Sequence, residues 1–292
     1  MSSKSHHYNP QVYLRQFVNP ASKKALWEYD VQTGSVIEST PKDSGCEDYY
    51  HSFEEGGGVR DNDSIEQSFH IIENQLPKLF EVVRNQQAVT NDIWSNLFLF
   101  AALQRSRCPK ALYSFRNGMS EAYAQIFEIL KQSPDFDEEM SKRGLNPHEV
   151  RAEEFKITAN KDATLLLLLS TFANGNLVRL YARMKCAFLI APPGKYFFTS
   201  DDPVCCWAEP DKRQFGPIGP GHSDVEITFP LSRRVCAFAH WESVPPVLYY
   251  HLPSKNVDAV NYRTVMNGWR FVYGPIKDNL ISDFVKEAKK TV

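Results

Sequence analysis

Nowhere in this chain do two cysteines stand in a C-x-x-C pair. Its six cysteines, at 46, 108, 186, 205, 206 and 236, therefore give no zinc-ribbon or thioredoxin-type motif, and the expectation is reduced thiols, several of them filling the core. An excess of either charge is also missing. Thirty-three Lys and Arg against 35 Asp and Glu leave a formal charge of −2, so the chain as a whole lacks the basic footprint of a nucleic-acid binder, although a local basic groove stays open. Apolar runs such as Leu165–Leu169 fall short of the ~20 residues a membrane helix needs. The polar start, Met1-Ser2-Ser3-Lys4, lacks the apolar core of a secretory signal. No internal repeat or low-complexity tract stands out. These absences predict a soluble cytoplasmic protein with no membrane partner.

What is present is an ordinary globular composition, 42% hydrophobic and 23% charged, with texture that changes along the chain. Leu26–Asp30 and Ser35–Glu38 alternate apolar and polar residues around Thr33-Gly34, a hairpin pattern. The glycine-rich stretch ending in Glu54–Gly58 reads as a mobile loop. Asp63-Ser64-Ile65-Glu66 reads as a helix start. From there Ile65, Phe69, Ile72, Leu76, Leu79 and Val83 recur at helical spacing, with Pro77 as an expected kink. Further helices are expected from Asn91 to Arg105, ending at Pro109, from Lys110 to Leu130, and from Ala163 to Arg183 with an interruption at Gly175. A charged, poorly patterned region separates the last two. Beyond Lys185 short β-type runs take over, at 186–190, 195–199, 204–207, 225–229 and 235–238, followed by helix 256–266, strand 269–273 and helix 277–290.

This order points to an α+β fold: a helical layer packed on a mainly antiparallel sheet, with the N-terminal hairpin joining the C-terminal sheet. One domain over 1–292 is expected, with a helical part at about 62–185 and a sheet-rich part at about 186–292 plus 1–40.

The residues that could carry chemistry begin at the front. His6 and His7 precede Tyr8, Tyr13, Leu14 and Phe17, apolar groups that can dock a terminus that would otherwise be loose. Docked imidazoles suit a metal or general-base work; the alternative is a tag remnant or a free terminus. Glu66, His70 and Glu73 fall on one helical stripe, either half of a metal site or a solvated helix edge. Gln104 and Arg105 follow an almost unbroken apolar run. A buried arginine there needs a carboxylate, from Glu66, Glu73 or Asp201, because an unpaired buried charge is costly; otherwise it caps the helix end in water. Thr199-Ser200-Asp201-Asp202-Pro203 lies between two expected strands and is either a site loop or an Asx turn. His51, His148, His222, His240 and His251 show no ligand spacing, and Cys205-Cys206 reads as strand packing.

The phrase His6-His7-Tyr8-x-Pro10-Gln11-x-Tyr13-Leu14-Arg15-x-Phe17 resembles the opening of a bacterial family, domain of unknown function 4238. The similarity continues through Trp27-x-Tyr29-Asp30, Pro41-Lys42, Ile65-Glu66, Ile72-Glu73, Gln104-Arg105, Thr199-Ser200-Asp201-x-Pro203 and Pro230-Leu231-Ser232. His70 falls outside that pattern, and Asp202 stands where Asn is expected. The resemblance implies one constellation of His6, His7, Glu66, Glu73, Gln104, Arg105, Ser200 and Asp201.

The leading expectation is a metal-dependent hydrolase or phosphodiesterase, in its specific form a nuclease effector acting on a nucleic acid or nucleotide. His6, His7, Glu66, Glu73 and Asp201 would hold a divalent ion (Mg, Mn or Zn), Arg105 would steady developing negative charge and Gln104 would orient substrate. The alternatives are a metal-independent nucleotide- or anion-binding enzyme or sensor, and a non-enzymatic protein whose polar network is structural.

Overall fold

The computed structural model describes residues 4–19, 21–22, 25–54, 58–152, 157–209 and 218–290. The leading phrase is tied down, as strand β1 (Ser5–His7) and a single helical turn α1 (Gln11–Leu14). The alternating segments form the antiparallel hairpin β2 (Leu26–Asp30) and β3 (Val36–Ser39), with Gly34 at φ +78° in its turn, a conformation glycine adopts without steric cost. Strand β4 (Cys46–Asp48) then pairs antiparallel with β1, and β5 (Phe53–Glu54) pairs with β6 (Arg60–Asp61). Most of the glycine-rich stretch expected to be mobile lies outside the described residues.

Where one kinked helix is expected there are two, α2 (Ser64–Glu73) and α3 (Leu76–Arg84). Pro77 stands in the first turn of α3, where its missing N–H has no intrahelical partner to lose, so the break falls before it. The carboxylate at the start of α2 is Asp61 rather than Asp63: its Oδ1 accepts the backbone N–H of Asp63 and Ser64 at 2.8 and 2.9 Å. Helix α4 (Asn91–Arg107) runs directly into α5 (Pro109–Leu130). The stretch without clear pattern holds α6 (Phe136–Lys142) and α7 (Pro147–Ala152); residues 153–156 lie outside the described residues. Helix α8 (Lys161–Ala173) is capped by the Asn160 side chain, and Gly175 at φ +67° separates it from α9 (Asn176–Tyr181). Lys161–Tyr181 has a mean hydropathy of 1.3 and is long and apolar enough to cross a membrane, by length and composition only, and 11% of that window is buried. The isolated run Leu165–Leu169 understated it.

The chain then builds β7 (Lys185–Ile190), β8 (Thr199–Ser200), β9 (Cys205–Trp207), β10 (Glu226–Pro230), β11 (Val235–His240), β12 (Tyr249–His251), α10 (Ser254–Asn267), β13 (Phe271–Gly274) and α11 (Asn279–Ala288). These strands split between two sheets, in the orders β12-β7-β11-β10-β9 and β3-β2-β13-β8. The N-terminal hairpin thus pairs with C-terminal β13, but in the smaller sheet. Only the β7–β12 pair is parallel among the pairings described. The fold is α+β. All six cysteines are free thiols, with Cys108, Cys205 and Cys236 buried.

The front of the chain is pinned by the core. Tyr13, Leu14 and Phe17 are fully buried and pack with Phe80, Phe100, Phe188 and Phe229 from α3, α4 and the larger sheet, where each such side chain contributes about 1.5–3 kcal/mol on burial. The Tyr13 hydroxyl donates to the Pro230 carbonyl and accepts from Thr199 Oγ1, both at 2.6 Å, which ties the leading segment to both sheets. Tyr13→Phe keeps the ring but leaves the Pro230 carbonyl without that donor. The expected loss is about 1–3 kcal/mol, read as a lower urea midpoint at unchanged m-value.

Candidate functional site

The pairing of β1 with β4 sets His6 opposite Glu47 and His7 opposite Cys46. After β4 the chain turns through Tyr49, a non-glycine residue at φ +56° whose N–H reaches the Lys4 carbonyl at 2.8 Å. That turn brings His51 beside His6. The His51 backbone N–H donates to His6 Nδ1 at 3.0 Å, and the two rings stack at 5.9 Å and 8°. Both histidines are buried. His51 Nδ1–H in turn donates to the Glu66 carboxylate on α2. His6, His51 and Glu66 each offer one ligand-type atom, and these lie within 4.8 Å of one another.

The tautomers follow from these bonds. With Nδ1 committed to Glu66, neutral His51 carries its lone pair on Nε2, a buried atom with no hydrogen-bond partner among the described residues. Burial drives the His51 pKa down to about 4 against the opposing pull of Glu66, so the ring is neutral at pH 7. Burial alone would raise the Glu66 carboxyl, but the hydrogen bond from His51, with the Arg107 cation nearby, holds it below the usual range. His7 donates from Nε2 to the Lys42 carbonyl at 3.1 Å, and its burial lowers its pKa. It lines a cleft of about 780 Å³ together with Glu66, His70, Lys42, Asp43 and Asp63. Glu66 therefore faces the buried histidines on one side and the cleft on the other.

A second run of polar groups lies behind. Asn9 donates from Nδ2 to the Ser200 carbonyl at 2.8 Å and accepts from Gln104 Nε2 at 2.7 Å. Gln104 Oε1 accepts from Arg107 Nε at 2.5 Å, and Arg107 Nη1 donates to Glu73 Oε1 at 2.7 Å. The Arg107 guanidinium is fully buried, sits 5.1 Å from the Phe69 ring centre, and leaves Nη2 without a hydrogen-bond partner among the described residues.

Of the residues expected from sequence, the structure gathers His6, His7, Glu66, Glu73 and Gln104. Arg105 is not with them. Its Nη1 donates to the Val204 carbonyl at 2.9 Å and approaches Cys206 Sγ, on the sheet side of α4; two residues further round the helix, Arg107 is the guanidinium in the site. Asp201 is no ligand either. Its carboxylate accepts the backbone N–H of Trp269, Arg270 and Phe271 at 2.8–2.9 Å, which fixes the entry to β13; burial raises its pKa to about 6 against those three bonds. Ser200 meets the network only through its main-chain carbonyl, while its hydroxyl donates to the Asp202 carbonyl. His7 and Glu73 stand beside the three-residue cluster rather than in it. His70 is exposed on the cleft wall.

Sequence reasoning missed His51, Arg107 and Asn9. Arg107 carried a signal, being the last residue of the helix whose apolar face made Arg105 conspicuous. His51 carried none, because its neighbours in the fold are 45 and 15 residues away.

The profile of the family described as "Protein of unknown function (DUF4238)" matches residues 5–278. The chain belongs to this family. No curated protein and no solved structure matches it. Within this family member, then, only the geometry of the site speaks to chemistry.

Two outcomes are expected. Removing the carboxylate in Glu73→Gln strands the buried Arg107 charge and should cost about 3–5 kcal/mol, whereas Glu73→Gln with Arg107→Met should recover most of that loss in equilibrium unfolding. Acid should destabilise the chain through His51. From pH 6.5 down to about 4 the unfolded state takes up a proton that the folded state refuses, so stability is intact above that window and falls within it, by up to about 1.4 kcal/mol per pH unit from this group. The His51→Gln variant should show a flatter stability profile across the same range.

Proposed function

We propose that this chain is a metal-dependent hydrolase of phosphate esters whose ion is held by His6, His51 and Glu66 and whose substrate enters by the His7–His70 cleft. The observation that carries this reading is the approach of two buried imidazoles and a carboxylate to within 4.8 Å of one another. A two-histidine, one-carboxylate set suits zinc, manganese or iron better than magnesium. Such an ion, when bound, would activate water and polarise a phosphoryl oxygen.

The chain's own groups take definite roles. Glu66 is the only one of the three that also borders the cleft, so it sets where substrate meets the ion. His7 is held neutral by burial and, with its proton fixed on Nε2 by Lys42, keeps Nδ1 as a base. The Arg107–Glu73 pair anchors α2 to α4 behind the ligands. The cleft wall mixes Lys42 with Asp43 and Asp63, so it lacks the one-signed groove a long nucleic acid requires. A nucleotide or other small phosphodiester fits this wall better than a nuclease substrate.

His6 sets a condition on the reading. Its Nδ1 already accepts from the His51 N–H, which places its neutral proton on Nε2. Ligation through Nδ1 displaces that bond, and ligation through Nε2 moves the proton to Nδ1, where it faces the His51 N–H. The same bond favours a second reading, in which the polar network serves only to fix the leading strand.

The two part on one experiment. Chelator-treated protein is titrated with zinc and with manganese, and melting temperature and hydrolysis of a chromogenic phosphodiester are followed. The hydrolase reading expects a saturable rise in melting temperature, abolished in Glu66→Gln and His51→Gln, and metal-dependent turnover lost in the same variants. Variants that lower the melting temperature without any metal response in the parent protein would leave the structural reading.

A further inference from the structure

Just past the end of α1 lies a second cleft, of about 330 Å³, lined by Arg15, Gln16, Arg84, Ser232, Arg233 and Arg234. Four of its six lining residues are arginines, and no carboxylate lines it. Elsewhere Arg107, Arg151, Arg263 and Arg270 each meet an acidic partner. Among the described residues none of the four arginines of this cleft does. Their hydrogen bonds go to neutral oxygens instead: Arg15 Nη2 to Gln11 Oε1 at 3.2 Å, Arg84 Nη2 to Gln16 Oε1 at 2.7 Å, and Arg234 Nη1 to the carbonyls of Pro192 and Lys195 at 2.6 and 3.1 Å. Amide and carbonyl oxygens orient a guanidinium without cancelling its charge, and leave most of its five N–H donors available.

The scaffold under these groups is fixed. Arg233 and Arg234 sit in the tight connection from β10 to β11, where Ser232 Oγ accepts the N–H of both Arg234 and Val235. The Arg233 N–H donates to the Gln16 carbonyl, and the Arg233 carbonyl accepts from Phe197. The hairpin turn is thereby fastened to the segment that carries Arg15. Two of the sequence phrases noted above, Tyr13-Leu14-Arg15-x-Phe17 and Pro230-Leu231-Ser232, run into this cleft, and the proposed hydrolase chemistry uses neither.

Like charges gathered in one concavity repel one another, and a pre-oriented set of forked donors matches the oxygens of a phosphoryl group. The lining has no aromatic or aliphatic residue to hold a base or an acyl body. We propose that the Arg15–Arg84–Arg233–Arg234 cleft is a binding site for an oligophosphate of the pyrophosphate class, either free or as the phosphate tail of a nucleotide. It is a different site from the His6–His51–Glu66 cluster and needs no metal there.

The test is calorimetric titration of the full chain, in chelator and at physiological ionic strength, with pyrophosphate, tripolyphosphate, ATP and adenosine. Saturable binding of the three phosphates and none of adenosine is expected. Arg15→Gln with Arg84→Gln, both on exposed side chains, should weaken it about tenfold or more at an unchanged melting temperature for the free protein. Equal affinity for tripolyphosphate and ATP assigns the site to the phosphate chain alone, and tighter ATP assigns it to a nucleotide; either supports the site. No saturable binding of any phosphate, or binding unaltered in the double variant, overturns it. Because chelator is present throughout, failure here leaves the metal reading standing, and the converse also holds.

Discussion

One buried amide fixes the geometry on which the rest depends. Asn9 is fully buried, its side chain is engaged at both ends, by the Ser200 carbonyl and by Gln104, and its backbone N–H donates to the Gly45 carbonyl at 3.0 Å. Three segments far apart in sequence therefore meet at one residue: the smaller sheet, helix α4 and the approach to β4. Gly45 makes the meeting possible. Its φ is +65°, and a Cβ there would come within 2.8 Å of the Asn9 Cβ, so a larger residue would push the two segments apart. Leaving such an amide half-satisfied inside a protein costs more than omitting it, and this specifies the register of β1 and with it the position of His6.

The donors run outward from the guanidinium: Arg107 donates to Glu73 and to Gln104 Oε1, Gln104 Nε2 donates to Asn9 Oδ1, and Asn9 Nδ2 donates to the Ser200 carbonyl. Flipping either amide would set two donors face to face, so the orientation of both is fixed. A buried ion pair is weak evidence for stability, since apolar residues of similar volume often do as well. The placement of Arg107 and Glu73 is better understood through what they flank. They join α2 to α4 behind the ligand cluster, and α2 carries Glu66 about two turns before Glu73 on the same face of the helix.

Much of the fold was legible because its signals are local. Alternation gave the β2–β3 hairpin, helical spacing gave α2 to α5 and α8, and Gly175 marked a true break. The docked terminus was legible too, since Tyr13, Leu14 and Phe17 have no reason to cluster on a free end. Pro77 was misjudged because proline in a first turn and proline in mid-helix look alike until the preceding boundary is known. The site was half legible. Polar residues standing in apolar context, such as Glu66, Glu73 and Gln104, announce themselves. Which of two nearby arginines turns inward does not, since Arg105 and Arg107 differ by about 200° around the helix and only the packing of α4 decides. His51 depends on a left-handed turn at Tyr49 that sequence does not mark. Asp201 looked like a ligand because a buried carboxylate has few other uses; closing three backbone N–H groups at the start of β13 is one of them.

Two concave surfaces of different character border α1 and the turn that follows it. Gln11 borders the cleft that carries His7 and Glu66, while Arg15 and Gln16 border the arginine cleft, and Gln11 and Arg15 are bonded to each other. Both surfaces take their shape from the same inward anchors, Tyr13, Leu14 and Phe17, which have no exposed area. A turn of four residues has too little hydrogen bonding to persist alone, so its geometry is set by the core beneath it. The packing that places the imidazoles thus also sets the spacing of Arg15 from the β10–β11 turn, and disturbance of the Tyr13 socket reaches both clefts at once.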